Sequence, residues 1–381
     1  MSFDAIIIGC GLAGAVSARE LAERGGKMVL LLERRDHIGG NAYDCPDEAG
    51  ILIHKYGPHI FHTNDERVFS YLCRFTEFSD YMHTVTANIH GEFVPVPFNF
   101  NSIKKVFGDR AEGLMKKLTD KYPEGAKIPI FELTVQNDPE LAELADYVFA
   151  NVFAHYTEKQ WGVPIGEVSK ETLSRVPVFL SYDNRYFQDK FQGMPKDGYT
   201  PMFERMLDHE NIEVRTGIDA KELLRFTDSG ILFEGKPFGG TVIFSGALDE
   251  LFSYEFGRLP YRTLDFLFET HGLDSFQPNA TVNYTVDQPY TRITEFKKLT
   301  GQNAPGVTTV MKEFSRFCEE GDTPYYAILN DENIALYAKY AEKAKKYSNL
   351  FLLGRLAEYR YYNMDAIVAR ALSLSDSLLG Q

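Results

Sequence analysis

Gly9-Cys10-Gly11-Leu12-Ala13-Gly14 places three glycines at GxGxxG spacing, and an acid, Glu33, follows nineteen residues after the last of them. In such a motif the first glycine permits a tight turn, the second lets the backbone approach a pyrophosphate, and the third lets a helix pack closely on a strand. Helix N–H groups then face the negative charge, and the carboxylate accepts hydrogen bonds from ribose hydroxyls while disfavouring a 2′-phosphate. The chemistry is that of a bound dinucleotide, with NAD and FAD both open on these residues alone. A second constellation is the histidine pair His59 and His62 in His54-Lys55-Tyr56-Gly57-Pro58-His59-Ile60-Phe61-His62-Thr63-Asn64. Two histidines could begin a metal site, but no third ligand follows at a usable spacing, so no metal is expected.

Charge makes the arginines informative. With 40 basic and 54 acidic residues the net charge is −14, a field that repels nucleic acid. An anionic substrate must therefore be gripped by a few local cations, for which forked guanidinium donors are suited. The four cysteines, Cys10, Cys45, Cys73 and Cys318, include no CxxC pair and suggest neither a disulfide framework nor a zinc ribbon. The N-terminus lacks the pattern of a secretory signal, and no apolar run approaches the roughly 20 residues of a membrane-spanning helix. A soluble protein of a reducing cytoplasm is expected.

These residues need elements to position them. An apolar strand over 5–8, an amphipathic helix over 12–24 and a second strand over 28–32 ending at Glu33 read as a βαβ start, hence a parallel sheet. Residues 98–175 read as helical. Their clearest segment opens at Asp138-Pro139, a capping side chain followed by proline at the first helical position. Leu141, Leu144, Ala145, Val148, Phe149, Val152, Phe153 and Tyr156 then form one continuous apolar stripe, which Gly162 ends. From about 240 to 330 the pattern alternates as in strands, with Ala280, Val282, Tyr284 and Val286 on one side. A helix over 332–346, a strand over 350–353 and a helix from about Asp365 close the chain.

The expected class is α/β: a discontinuous Rossmann-like dinucleotide-binding domain with an inserted helical domain and an antiparallel β-sheet domain. The dinucleotide domain takes residues 1–80, continued by about 195–246 and 331–381, with helical residues 98–175 and antiparallel residues 247–330 inserted.

Past Glu33 the chain runs Arg34-Arg35-Asp36-His37-Ile38-Gly39-Gly40-Asn41, and this second glycine pair resembles the FAD-binding segment of amine-oxidase and glutathione-reductase-type flavoproteins. Gly354-Arg355 before the last helix resembles the segment that brings a helix N-terminus to the flavin ring in those families. The histidine block is more specific and is similar to that of the UDP-galactopyranose mutase family. The resemblance continues through Pro97-Phe98-Asn99, Tyr156-Thr157-Glu158-Lys159-Gln160-Trp161-Gly162, Asp183-Asn184-Arg185-Tyr186-Phe187, Pro289-Tyr290-Thr291-Arg292, Pro324-Tyr325-Tyr326 and Gly354-Arg355-Leu356-Ala357-Glu358-Tyr359, nearly the whole chain.

The resemblance implies a redox-neutral isomerase that interconverts UDP-galactopyranose and UDP-galactofuranose, the N5 atom of reduced FAD attacking the anomeric carbon. It assigns Arg175 and Arg292 to the substrate diphosphate, with His62 beside them as a catalytic residue near flavin and sugar. Tyr156 and Trp161 would surround the uracil, with Phe153 open between the same pocket and, by its helical phase, the core, and Tyr186, Tyr325, Tyr326, Tyr361 and Asn363 would surround the diphosphate and sugar. Adjacent strand residues face opposite ways, so only one of Tyr325 and Tyr326 is expected at the substrate. FAD would be held by Gly9, Gly11, Leu12, Ala13, Gly14, Glu33, Arg34, Gly40, Asn41, His59, Ile60, Arg355 and Met364. The family also suggests a homodimer, NAD(P)H or another reductant, and supply of galactofuranose to cell-surface glycans.

Three positions depart from the family pattern. Asn363 stands where an aspartate is usual, Ala327 replaces a proline, and His83 replaces an asparagine common in bacterial relatives. A neutral amide in place of a sugar-facing carboxylate keeps a related UDP-sugar open as substrate. An amine-oxidase-type FAD oxidoreductase or a non-enzymatic flavin-binding protein would share the dinucleotide fingerprint. The segment 179–193 is expected to act as a lid over the substrate.

Overall fold

The computed structural model describes residues 2–135, 137–162, 164 and 177–380. A five-stranded parallel sheet runs in the order Ile212–Arg215, Val29–Leu32, Ala5–Ile8, Thr241–Phe244 and Leu350–Leu352. Ala5–Ile8 and Val29–Leu32 are buried at every position, as strands covered on both faces must be. Alternation divides their side chains between two cores. Ile7, Leu31 and Ile243 pack under the helices Leu12–Glu23 and Met364–Leu379, whereas Ile6, Leu30 and Val242 pack toward Asp331–Ala344 on the other face. The sheet is therefore assembled from three distant stretches of chain, and its carboxyl ends converge on the glycine turn.

A seven-stranded sheet runs in the order Tyr326–Ala327, Tyr261–His271, Thr308–Phe317, Arg292–Glu295, Thr281–Tyr284, Val85–Ile89 and Glu92–Val96. Its pairs are antiparallel except for Thr281–Tyr284 on Val85–Ile89. The 85–96 hairpin, lying between the units expected from sequence, joins this sheet across almost two hundred residues of intervening chain. The strand expected across 280–286 is shorter, Thr281–Tyr284, and both its faces are covered: Val282 is buried in protein, and Thr281 and Asn283 border a cavity.

The inserted region has its own apolar core, built from Phe98, Ile103, Leu114, Leu141 and Leu144 among others. It also contains a small sheet, Phe98–Asn99, Pro177–Phe179 and Lys127–Pro129, where helix alone was expected. The helix opening at Asp138-Pro139 forms as anticipated, the Asp138 carboxylate accepting from the N–H groups of Glu140 and Leu141. The apolar stripe is not one helix, however. An α-helix over Pro139–Val148 passes into a π-helical stretch over Phe149–Ala154 and returns to α over His155–Trp161. The wider turn rotates everything after it relative to an uninterrupted α-repeat. Phe153 stays in the core, while Tyr156 leaves the stripe and faces a cavity.

Candidate active site

At the carboxyl end of the parallel sheet a cavity of about 300 Å³ is lined by Gly9, Gly11, Leu12, Ala13, Glu33, Arg34, Gly40, Asn41, His59, Arg355 and Met364. These are eleven of the thirteen residues expected to hold a dinucleotide. Gly14 acts one layer back: a Cβ there would sit 1.9 Å from the Gly9 carbonyl oxygen, so the helix can seat on the turn only with glycine. Ile60 lies instead on the wall of the neighbouring cavity. The second glycine pair completes the first, because Gly40 has φ 56° and a Cβ on it would come 2.8 Å from the Cα of Gly11. Two glycine backbones thus pack directly against each other on the cavity wall, the side-chain-free surface that a pyrophosphate requires.

Glu33 is buried and already oriented. Its Oε2 accepts from the Cys10 N–H at 2.8 Å and its Oε1 from the Arg35 N–H at 2.9 Å. Arg34 is turned outward to Glu250 at 2.8 Å, where Lys221 also donates at 3.1 Å. Sequence reasoning passed over Arg35, which donates to Asn41 at 2.9 Å and lies 3.9 Å over the Tyr56 ring.

A second cavity of about 240 Å³ shares Asn41, His59, Arg355, Asn363 and Met364 with the first. The two spaces therefore meet along a common wall. Its other surfaces carry His62, Tyr156, Tyr186, Arg292, Tyr325, Tyr326 and Tyr361, residues brought from almost every part of the chain. Both Tyr325 and Tyr326 line it. The strand begins only at Tyr326, so Tyr325 is not bound by strand alternation and its ring packs edge-on against Phe266. Phe153 and Trp161 are not among the lining residues. Arg175 lies outside the described residues.

Arg292 is the cation of this cavity wall held by a carboxylate. It donates to Glu313 from Nε and Nη2, each at 2.9 Å, and the Glu313 side chain is wholly buried. Burial works against the guanidinium charge, but Glu313 with the Tyr156 and Tyr326 hydroxyls outweighs it and raises the pKa further. Arg355 lies 4.7 Å over Tyr361 and 5.6 Å over Tyr326, its Nε donating to the Tyr362 carbonyl at 2.7 Å.

The histidines are held, and two of those on the walls are neutral. Burial pulls His59 down to about 3, with His54 adding to the effect. Its Nδ1 sits 2.8 Å from the Gly57 carbonyl and must donate there, which leaves Nε2 as an acceptor. Burial likewise takes His83 to about 3. His62 stacks on Phe187 at 3.6 Å and places its Nδ1 2.8 Å from Asp189. Asp189 and Phe187 belong to the segment 179–193, which also pairs with the His62 strand. Glu313, Asn283, Phe187 and Asp189 were missed from sequence. Phe187 lay in a motif block and Asp189 in the expected lid, whereas Glu313 and Asn283 read only as polar residues within strands, and what each would face depends on the tertiary structure.

The sequence profile of the UDP-galactopyranose mutase family matches residues 151–361. The chain belongs to the UDP-galactopyranose mutase family. A profile for NAD(P)-binding Rossmann-like domains matches residues 7–75, the part that carries the glycine turn and Glu33. A probable UDP-galactopyranose mutase of Klebsiella pneumoniae is 39% identical, covering 98% of this chain and 94% of that protein. A dTDP-fucopyranose mutase of Escherichia coli is 38% identical over 96% of each chain. A UDP-galactopyranose mutase of Mycoplasma pneumoniae is 34% identical over 99% of this chain and 96% of its own length. In fold, the chain matches a crystal structure of reduced UDP-galactopyranose mutase with a TM-score of 0.70 at 17% identity, covering 100% of this chain and 94% of that one. Membership of the UDP-galactopyranose mutase family makes the chain an isomerase and implies a flavin cofactor, which the cradle of Gly11, Gly40 and Glu33 fits. Among the described residues no helix is long and apolar enough to cross a membrane.

Proposed function

We propose that the protein interconverts UDP-galactopyranose and UDP-galactofuranose, with reduced FAD in the first cavity and the nucleotide sugar in the second. The observation that carries this reading is the shared wall of Asn41, His59, Arg355, Asn363 and Met364, through which a cofactor in one cavity would meet a ligand in the other. Bound and reduced, FAD would supply a nucleophilic nitrogen toward the anomeric carbon. The protein's own contribution is binding and charge. Arg292, its guanidinium plane set by Glu313, presents remaining N–H groups to the diphosphate and stabilises the negative charge of departing UDP. Tyr186, Tyr325, Tyr326 and Tyr361 offer hydroxyl donors to phosphate and sugar oxygens, and Tyr156 an aromatic face to the base. His59 contributes an acceptor at Nε2, its neutral state making it a hydrogen-bond partner rather than a proton store. Arg175 is assigned to the same diphosphate from the family pattern.

The same reading carries a homodimer, NAD(P)H or another reductant, a cytoplasmic location and supply of galactofuranose to surface glycans, all resting on the family resemblance. Anaerobic incubation of dithionite-reduced enzyme with UDP-galactofuranose should yield the pyranose by chromatography, and the oxidised enzyme should yield none. Absence of product from reduced, flavin-loaded enzyme would overturn the reading. Asn363 and the similarity to a dTDP-fucopyranose mutase favour one second reading, a mutase for a related nucleotide sugar. Turnover of dTDP-fucopyranose in the same assay, at a higher kcat/KM than UDP-galactofuranose, would select it.

A further inference from the structure

Arg262 is a buried cation that the reaction does not use. Its residue is 1% exposed, and among the described residues no carboxylate pairs with it. It donates instead from Nε to the Gln160 carbonyl at 3.1 Å and from Nη2 to the Lys159 carbonyl at 3.3 Å. Both N–H groups also reach the Ser315 hydroxyl, at 3.2 and 3.0 Å, and Ser315 itself donates to Gln160 O at 2.7 Å. Phe317 lies beneath the guanidinium at 4.7 Å. The carbonyls of residues 159 and 160 belong to the last turn of the helix His155–Trp161, which has no helical N–H left to give them and carries the negative end of the helix dipole.

The surroundings are shaped to this contact. Gly162 ends the helix in the left-handed region at φ 68°, and a Cβ there would lie 2.3 Å from Arg262 Nη1. A neighbouring cation reinforces the attachment: Lys159 donates to the carbonyls of Gln288 at 2.9 Å and Tyr284 at 2.5 Å, in the turn that leads to Arg292. The backbone of Arg262 faces the other way. Its carbonyl accepts from the Tyr325 N–H at 2.9 Å, and the residue stands in register with Tyr326. One residue thus holds the helix bearing Tyr156 by its side chain and, by its main chain, the segment in which Tyr325 leads into the strand Tyr326–Ala327. All three tyrosines line the substrate cavity. Burying an unpaired guanidinium is expensive, and an aliphatic residue would fill the space at lower cost. What the aliphatic residue could not do is bind the helix end.

We propose that Arg262 is a positioning residue that sets the Tyr156 wall of the cavity relative to the Tyr325–Tyr326 wall, so that affinity for the nucleotide diphosphate depends on it while flavin binding does not. The inference rests on the nucleotide-sugar reading above, and the experiment separates the two.

UDP affinity of the flavin-loaded protein and KM and kcat for the mutase reaction are measured for the wild type, Arg262→Met and Arg262→Lys. Arg262→Met should raise Kd and KM about tenfold and leave kcat within about threefold, and Arg262→Lys should recover about half of the loss on a logarithmic scale. Flavin content and absorption should match the wild type. In a Tyr156→Ala background the same substitution should change Kd less than about twofold, since the group it positions is gone. If Arg262→Met does not fold, Arg262→Lys alone decides, with a rise of about threefold in Kd expected and an unchanged Kd overturning the proposal. Equal effects in the presence and absence of Tyr156, or a fall in Tm with unaltered Kd, would also overturn it. A wild type that neither binds UDP nor turns over would instead remove the nucleotide-sugar reading.

Discussion

Arg292 and Glu313 face each other in register on adjacent antiparallel strands and close a two-point contact, Nε to Oε2 and Nη2 to Oε1, each at 2.9 Å. The pairing consumes the inner edge of the guanidinium and leaves Nη1 without a protein acceptor among the described residues, on a side chain that lines the substrate cavity. Arg292→Ala should lower kcat/KM by about a hundredfold or more with flavin absorption unchanged. Glu313→Gln keeps the shape and removes the charge, and about a tenfold loss is expected from a less firmly oriented guanidinium. Steady-state kinetics of the reduced enzyme check both, and wild-type kcat/KM for Arg292→Ala would remove it from the diphosphate site.

Gly14 and Gly40 make the cofactor cradle by what they lack. A methyl group at position 14 collides with the Gly9 carbonyl oxygen, and one at position 40 with the Gly11 backbone. Gly14→Ala and Gly40→Ala should each purify with strongly reduced flavin content, measured as the ratio of flavin to protein absorbance. Full flavin occupancy in both would place the cofactor elsewhere.

His54 and His83 are buried, and burial lowers both from 6.5 to about 3. His54 also receives the His59 N–H on Nδ1 at 3.0 Å, a contact that protonation would abolish. Each is a base whose folded pKa lies below its unfolded value, so the unfolded chain takes up protons that the native one refuses. Their contribution to stability is complete above about pH 6.5 and is lost as pH falls toward 3, at roughly 1.4 kcal/mol per group per pH unit. Thermal unfolding should therefore move to lower temperature between pH 7 and pH 5. Imidazole NMR signals of these two residues that titrate near 6.5 in the native protein would contradict the assignment.

Asp189 ties the segment 179–193 to His62. Its Oδ2 lies 2.8 Å from His62 Nδ1, and its Oδ1 accepts from Asn64. Asp189→Ala should lower kcat about tenfold by freeing the His62 ring from the tautomer and orientation that this contact fixes. The loss should shrink to about twofold in a His62→Ala background. Additive effects would show that Asp189 acts on something other than His62.

Much of the cofactor site could be read along the chain because it is local. Glycines, strand, helix and Glu33 are neighbours in sequence, and their spacing alone constrains how they fold, so Gly9, Gly11, Leu12, Ala13 and Glu33 line the first cavity as expected; the resemblance supplied Arg34, Gly40, Asn41, His59, Arg355 and Met364. The parallel sheet was legible for the same reason, since strands buried on both faces are continuously apolar. Motif resemblance reached further, to Arg292 and the tyrosines, although it could not say what held them.

What the tertiary structure alone decided is every relation that spans the chain. Glu313 meets Arg292 through strand register, which depends on how two strands align and not on either strand's own composition. Tyr156 reaches the cavity while Phe153 remains in the core because a π-helical stretch shifts the phase, and a pattern of apolar residues is the same with or without that shift. Arg262 reads in sequence as one charge at the start of a strand, and only the packed molecule turns it inward onto a helix end. Periodicity reports which side of an element is apolar; it carries no information about which partner that side will meet.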